Sequence, residues 1–427
     1  MTEAQLEDPQ AADEWRLAVL GLGYVGLPLA LEATRAGIPV IGFDVSARVV
    51  ESLNAGASHV DDISDTAVRE MLERGFVATS DPGRLAHQNA YVITVPTPLS
   101  PDGGPDLAAV KAAAQTVAGV LAAGDVVVLE STTYPGTTEE IVAPILESSG
   151  LFAGKDFHLA FSPERIDPGN AAYGLRNTPK IVGGMTDAGY QAAAALYSRI
   201  CDVIVRAAGT REAELAKLLE NTYRHVNIAL VNEMAQFSHE LGIDLWDAIR
   251  CASTKPFGFQ AFYPGPGVGG HCIPIDPNYL SFRVRSELGQ AFRFVELAQE
   301  INSSMPAYVA QRVMLALNRR GLPVNGARVL LLGVTYKANI ADRRESPAEP
   351  LARRLRELGA DLSYWDPHVE HWTAGEPVAR VESLDEVRDF DCVVLLQAHR
   401  ELDHAALRDC RERVLDTRGA IAGAESL

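Results

Sequence analysis

The chain has 427 residues, 47% of them hydrophobic, and a formal net charge of -18. That length and composition predict two or three folded domains with real cores and exclude a disordered chain. The acidic balance excludes nucleic acid and an anionic membrane surface as partners, because both need a basic face, yet it leaves room for a phosphorylated small molecule held by local donors.

The first fourteen residues, MTEAQLEDPQAADE, are polar and acidic and do not read as a signal peptide. No apolar run is long enough to span a membrane. The five cysteines (Cys201, Cys251, Cys272, Cys392 and Cys410) are odd in number and form no CxxC pair. They predict reduced thiols rather than a disulfide framework or zinc ribbon, and hence a cytoplasmic protein.

In chain order, Arg16 to Leu20 reads as an apolar strand that runs into GLGYVGLPLALEATRAG, a glycine turn and helix, and then PVIGFD, a second strand. Gly21, Gly23 and Gly26 make G-x-G-x-x-G, and Asp44 lies 21 positions beyond Gly23. The glycines let backbone approach a pyrophosphate at a helix N-terminus, and the carboxylate accepts from the adenosine ribose. A carboxylate there repels a 2′-phosphate, so the expected cofactor is NAD rather than NADP.

AYVITVPTP (90–98), DVVVLESTTYPGTT (125–138) and HLAFSPERIDPG (158–169) repeat the strand-then-polar pattern. Carboxyl ends of parallel strands line a ligand crevice, so Thr97, Ser131, Thr132 and Glu164 become candidates by position, though each alone could cap a helix. Residues 210–242 read as one long helix with Thr210 as a plausible N-cap, about 45 Å in length. Lys217 and Asn221 are i,i+4 and share a face, either as a solvated stripe or as a pair of donors.

The last third, from Ala327 on, starts a second α/β domain whose second strand again ends in an aspartate, Asp366. Its glycine fingerprint has decayed to Gly333, followed by Lys337 and Arg344, whose side chains could bind a phosphate instead. Two nucleotide-sized sites are therefore expected.

YPGPGVGGHCIPIDP (263–277) is too rich in glycine and proline for helix or strand, yet holds Cys272. Most free cysteines are buried small hydrophobes; this one sits among glycines, whose N–H groups could serve an oxyanion. A thiol beside an NAD site has a clear use: it captures an aldehyde as a thiohemiacetal, which can be oxidised to a thioester and hydrolysed to an acid. The metal alternatives, His271 with Cys272 or His368 with His371, lack further ligands at suitable spacing, so no metal is expected.

With GLGYVGLP, VPTP, ESTTYPGTT, FSPERIDPG, ELAKLLENTYR, GPGVGGHCIPIDP and GVTYKANIADRRESP in order from about Trp15 to Arg418, the chain resembles the UDP-glucose/GDP-mannose dehydrogenase family of nucleotide-sugar 6-dehydrogenases. The resemblance implies an α/β fold of two Rossmann-like doubly wound domains joined by a long central helix. It implies an NAD-binding domain at 14–209, a helical dimerisation domain with the cysteine loop at 210–305 and a nucleotide-sugar (UDP) domain at 306–427. Cys272 is then the nucleophile, Lys217 and Asn221 stabilise oxyanions, Thr132 and Asp276 hold a water for proton transfer, and Glu164 activates water for thioester hydrolysis. NAD contacts fall on Gly21, Gly23, Gly26, Asp44, Thr97, Thr132 and Arg344. Tyr263, Gly267 and Lys337, with Glu164, Lys217 and Asn221, fall to the nucleotide sugar.

The resemblance further implies a homodimer or higher homo-oligomer and a UDP-hexose substrate. UDP-glucose is favoured, with UDP-N-acetylglucosamine or dTDP-glucose close behind. Ile275 departs from the lysine that many members have before the aspartate. Two other readings compete: a two-electron dehydrogenase of the 6-phosphogluconate or 3-hydroxyacid type, which needs no thiol, and a catalytically dead NAD-binding protein, which would have lost a catalytic residue.

Overall fold

The computed structural model describes residues 15–100, 104–167, 170, 172–270 and 273–427. His271 and Cys272 therefore lie outside the described residues. The chain forms two compact units, Met1–Glu220 with Asn278–Glu287, and Asn221–Pro277 with Leu288–Leu427.

The first unit is built on one sheet of eight strands: β1 (Leu17–Leu20), β2 (Val40–Phe43), β3 (Val77–Thr79), β4 (Ala90–Ile93), β5 (Val126–Leu129), β6 (His158–Phe161), β7 (Lys180–Gly184) and β8 (Ile204–Arg206). Their order is β3-β2-β1-β4-β5-β6-β7-β8. β1, β4, β5 and β6 are buried at every residue, as strands covered by helices on both faces must be. Separate apolar clusters lie on the two faces, one around Leu27, Ala30, Phe76 and Leu196, the other around Tyr91, Val110, Leu146 and Phe157.

The order reverses direction between β1 and β4, which is where a doubly wound sheet opens its crevice at the carboxyl ends. One pairing breaks the parallel pattern: β7 runs antiparallel to β6, with Phe161 opposite Gly183. Its first residue, Lys180, therefore arrives at the carboxyl edge of β6.

Helix α1 (Gly26–Arg35) follows the glycine turn and buries Leu27, Leu29, Ala30, Leu31 and Ala33. Pro28 is tolerated because it falls in the first turn, where its missing N–H would have no intrahelical partner. Helix α2 (Thr210–Glu240) has 31 residues and gives way to Gly242 at φ +68, the left-handed conformation favoured after a helix. Thr210 does not act as the expected cap: it is the first helical residue, and its hydroxyl donates to Glu139 Oε1 at 2.6 Å.

The second unit holds a long helix and a parallel sheet, and the helix that follows the cysteine turn falls mostly to the first unit. Helix α3 (Asp276–Leu288) starts at the end of the cysteine turn, and α4 (Arg293–Arg319) carries Pro306 inside it. The sheet strands are β9 (Arg328–Leu332), β10 (Asp361–Trp365), β13 (Ala379–Arg380), β14 (Cys392–Leu395), β15 (Val414–Asp416) and β16 (Glu425–Ser426), in the order β13-β10-β9-β14-β15-β16. A small hairpin of β11 (Thr373–Ala374) and β12 (Glu376–Pro377) stands apart. Among the described residues no helix is long and apolar enough to cross a membrane.

Candidate functional site

In the first unit the β1–α1 turn has the geometry of a phosphate cradle. Gly21 takes φ +95, a conformation that a side chain would strain. At Gly26 an added Cβ would lie 1.9 Å from the Gly21 carbonyl oxygen and 2.5 Å from Thr94 Oγ1. A Cβ added at Gly23 would meet nothing within 4 Å, so that edge of the turn is open. No side chain caps α1, so the positive end of the helix stays uncovered by a side chain, although Leu27 N–H is already bonded to the Gly23 carbonyl at 3.0 Å. Asp44, just past β2, accepts from Leu22 N–H at 3.0 Å through Oδ2 and from Ser46 N–H at 2.9 Å through Oδ1, and stays half-buried. Its carboxylate is fixed yet reachable, as a ribose acceptor must be. An open glycine edge, uncapped helix and fixed acid fit NAD.

Farther along the carboxyl edge, Thr97 and Thr132 come together: the buried Thr97 hydroxyl donates to the Thr132 carbonyl at 2.8 Å. Ser131 is spent internally, donating to Val95 O at 2.7 Å. Tyr279 was not anticipated from sequence; fully buried, it donates its phenol proton to the Thr97 carbonyl. It follows the cysteine turn by only a few residues, and that proximity is the sequence signal.

Glu164 follows β6 and is buried at 8% exposure. Lys217 Nζ donates to the Glu164 carbonyl at 2.6 Å and stands 3.9 Å from its carboxylate. The carboxylate also accepts from Ile166 N–H. Burial pushes the Glu164 carboxyl above its ordinary range, against the pull of Lys217 and Lys180. A carboxylate raised in this way is a stronger proton acceptor than an ordinary one, which is the property a general base needs. Lys180 Nζ lies 2.5 Å from Glu130 Oε1, and Tyr197 donates to that same oxygen at 2.6 Å. This second buried pair went unnoticed in the sequence. Glu164 and Lys180 also border a small cleft of about 10 Å3, along with Ile166, Leu175 and Pro179.

In the second unit, Asn221 Nδ2 donates to Asp276 Oδ2 at 2.6 Å, and both residues are buried. Arg224 donates to Asn221 Oδ1, which fixes the orientation of the amide. A residue three positions after Asn221 on α2 is a helical neighbour, so Arg224 was legible in principle.

Several glycines of the cysteine turn are also required by packing. Gly265 N–H donates to Asn232 Oδ1 at 2.9 Å and Gly270 N–H to the Arg344 carbonyl at 3.0 Å, so these two donors are committed within the protein. A Cβ at Gly269 would lie 2.6 Å from Glu345 O, and one at Gly270 2.7 Å from the Tyr336 ring. Gly269 and Gly270 are glycines because the 336–345 loop packs against them. Asn232 is held by Asn302, which contacts His225. Gly267 at φ +135 stands against Pro347 and the Asn302 carbonyl, the oxygen left without its helical donor by Pro306.

Tyr263 is about half exposed and stacks on Trp246 with centroids 5.4 Å apart. Arg418, after β15, donates to Leu396 O at 2.6 Å, and burial pulls its guanidinium down to about 10. A Cβ at Gly265 would meet Arg418 Nη1 at 3.1 Å. Trp246 and Arg418 thus join Tyr263 around one end of the turn. Arg344 pairs with Asp342 at 2.5 Å, and Lys337 lies in the same loop.

Asp366 repeats the job of Asp44, accepting from Val334 N–H at 2.8 Å and His368 N–H at 2.9 Å. Unlike Asp44 it is fully buried, covered by His399 Nε2 at 3.2 Å. It therefore offers nothing to a ribose. His368, His399 and Glu401 bring ligand atoms within 4.8 Å of one another, a grouping not seen in the sequence. His399 Nδ1 accepts from Asn339 N–H at 3.0 Å, which puts the ring proton on Nε2 toward Asp366 and leaves that ring no lone pair for a metal.

Three sequence models of one family match in series. The NAD binding domain of the UDP-glucose/GDP-mannose dehydrogenase family matches residues 15–201, its central domain 211–304 and its UDP binding domain 330–423. The chain is 35% identical over 404 residues to a UDP-N-acetyl-D-glucosamine 6-dehydrogenase of Pseudomonas aeruginosa, covering 93% of each chain. The structure of a UDP-D-ManNAc dehydrogenase from Pyrococcus horikoshii superposes with TM-score 0.85 at 33% identity, covering 96% of this chain and 98% of that one. A UDP-glucose dehydrogenase from Pyrobaculum islandicum does so with TM-score 0.85 at 30% identity, covering 98% and 97%.

Proposed function

The chain belongs to the UDP-glucose/GDP-mannose dehydrogenase family of NAD-dependent nucleotide-sugar dehydrogenases, and we propose that it oxidises the C6 alcohol of a UDP-sugar to a carboxylate in two steps through Cys272. The observation that carries this reading is the buried Asn221–Asp276 pair, whose aspartate lies four residues after Cys272. A donor amide and a fixed carboxylate, with a cysteine four positions earlier in the chain, suit an alcohol-to-acid oxidation; a two-electron dehydrogenase has no use for the thiol.

Bound NAD, held by Gly21, Gly23, Gly26 and Asp44 with Thr97 and Thr132 beside them, supplies the hydride acceptor for both oxidations. Asp276, with Thr132, holds the water that takes the alcohol proton. The Cys272 thiolate adds to the aldehyde carbon, and Lys217 and Asn221 stabilise the oxyanion of the thiohemiacetal. The second oxidation leaves a thioester. Glu164 then takes a proton from water as its oxygen bonds to the thioester carbon; the C–S bond breaks and the thiolate is released. The balance is one alcohol, one water and two NAD+ giving one carboxylate, two NADH and three protons.

The nucleotide end falls to the second unit, where Tyr263 on Trp246 offers an aromatic face, Gly267 close backbone, and Lys337 and Arg418 positive charge for a diphosphate and a base. Arg344 remains assigned to NAD on the family resemblance. UDP-glucose was the substrate expected from sequence; the names of the relatives make UDP-N-acetylglucosamine the first to test and UDP-glucose the second.

We expect two NADH per sugar when either sugar is limiting. One NADH per sugar supports the two-electron alternative and removes the role of Cys272. The proposed enzyme is cytoplasmic and dimeric. Along α2, Leu215, Leu219, Tyr223, Leu230 and Phe237 are each more than 40% exposed, an apolar series that a second copy can cover. Light scattering on the full chain should give twice the chain mass, and a monomer refutes the dimer.

A further inference from the structure

We propose that Lys180, anchored by Glu130 and Tyr197, is a positioning residue for thioester hydrolysis: it braces the Pro163–Glu164 backbone and, with Glu130, sets the electrostatic balance around the Glu164 carboxyl. This rests on the reading of Glu164 as the hydrolytic base.

Lys180 and Glu130 are 2% and 1% exposed and 2.5 Å apart. A buried ion pair seldom stabilises a fold over well-packed apolar residues, because both charges must be desolvated. This one is incomplete as well: Glu130 Oε2 is buried with no hydrogen-bond partner among the described residues. Such a pair is poorly explained by stability. Its surroundings supply another reason. The Lys180 ammonium lies 5.0 Å from the centroid of the Tyr197 ring and donates to the Pro163 carbonyl at 3.4 Å, one residue before Glu164. The antiparallel turn of β7 brings a strand's first residue to this edge, where parallel neighbours present their last.

Among the described residues, three ionisable groups act on the Glu164 carboxyl: Lys217 from α2, Lys180 from β7 and Glu130 after β5. Lys217 has work on the oxyanion in the proposed reaction; Lys180 has none. The two lysines favour the carboxylate and Glu130 opposes it. Glu164 must be ionised to accept a proton, so hydrolysis is lost as pH falls through its pKa. Removing the Lys180 charge leaves Glu130 uncompensated and moves that loss to higher pH. Neutralising Glu130 leaves Lys180 uncompensated and moves it to lower pH.

The test is the pH dependence of uronate release in a single turnover of the full-length enzyme, with excess NAD and whichever of UDP-N-acetylglucosamine or UDP-glucose the wild type oxidises. Lys180→Met should move the acid limb up and Glu130→Gln should move it down, each by about one unit. Lys180→Arg, which keeps the charge, should leave it in place. A merely structural pair would lower the amplitude in Lys180→Met and Glu130→Gln without moving either limb, or move both the same way, and that result overturns the proposal. Glu130→Gln retains an acceptor for Tyr197 and Lys180, so it decides the matter alone if Lys180→Met does not fold. A wild-type enzyme that releases no uronate from either sugar overturns the proposed function first, and this proposal with it.

Discussion

Cys272→Ser abolishes acid formation, with uronate output down by on the order of 10³-fold or more, about 4 kcal/mol of barrier. A serine hydroxyl at neutral pH is almost wholly protonated and adds poorly to an aldehyde, whereas a thiolate adds readily. The hydride step does not use the sulfur, so the variant should still reduce the corresponding nucleotide-sugar aldehyde with NADH. None of the other cysteines can substitute. Burial pushes the Cys201 thiol up to about 11 and that of Cys392 to about 12, and raises Cys410, so these stay protonated. Cys251 is exposed on a helix beside Asp247 and Arg250. The measurement is uronate and NADH per sugar for both enzymes. Acid made by the variant within about tenfold of wild type would falsify the cysteine mechanism.

The α/β class and the long helix were legible because their signals are local. Four strands buried at every residue read as almost wholly apolar runs, His158 being the exception, and a 31-residue helix without proline or internal glycine has little else to be. The glycine turn was legible because φ +95 at Gly21 and the close approach at Gly26 leave few other residues possible. What escaped depends on pairings between distant segments. Glu130 and Lys180 are fifty residues apart and meet only because β7 runs antiparallel, a direction that no local pattern encodes. Gly269 and Gly270 of the cysteine turn were legible as glycines, but the 336–345 loop that packs on them was not. The spent carboxylate of Asp366 looked like a second Asp44 until His399 was seen to cover it. In each case the residue type was readable and its partner was not.

Gly23→Ala and Gly26→Ala should fail in different ways, and the difference bears on how the first unit holds NAD. A methyl group at Gly26 would sit 1.9 Å from a backbone oxygen that cannot move aside without distorting the turn. Overpacking of that kind costs about 1–3 kcal/mol of stability, so this variant should melt lower and bind NAD poorly for both reasons. A methyl group at Gly23 meets no protein atom within 4 Å. Its φ lies outside the left-handed range, so alanine is compatible there and the apo protein should melt at the same temperature or slightly higher. The space it fills is the one assigned to the pyrophosphate. Gly23→Ala should therefore weaken NAD binding by about 10- to 100-fold, or about 1.4–2.8 kcal/mol. The rise in melting temperature on adding NAD should shrink accordingly, because that rise scales with ligand concentration over Kd. Calorimetry with and without NAD separates the effects. A Gly23→Ala protein that binds NAD as wild type does would move the pyrophosphate away from Gly23, and one that unfolds would mean the open edge of the turn is closed in solution.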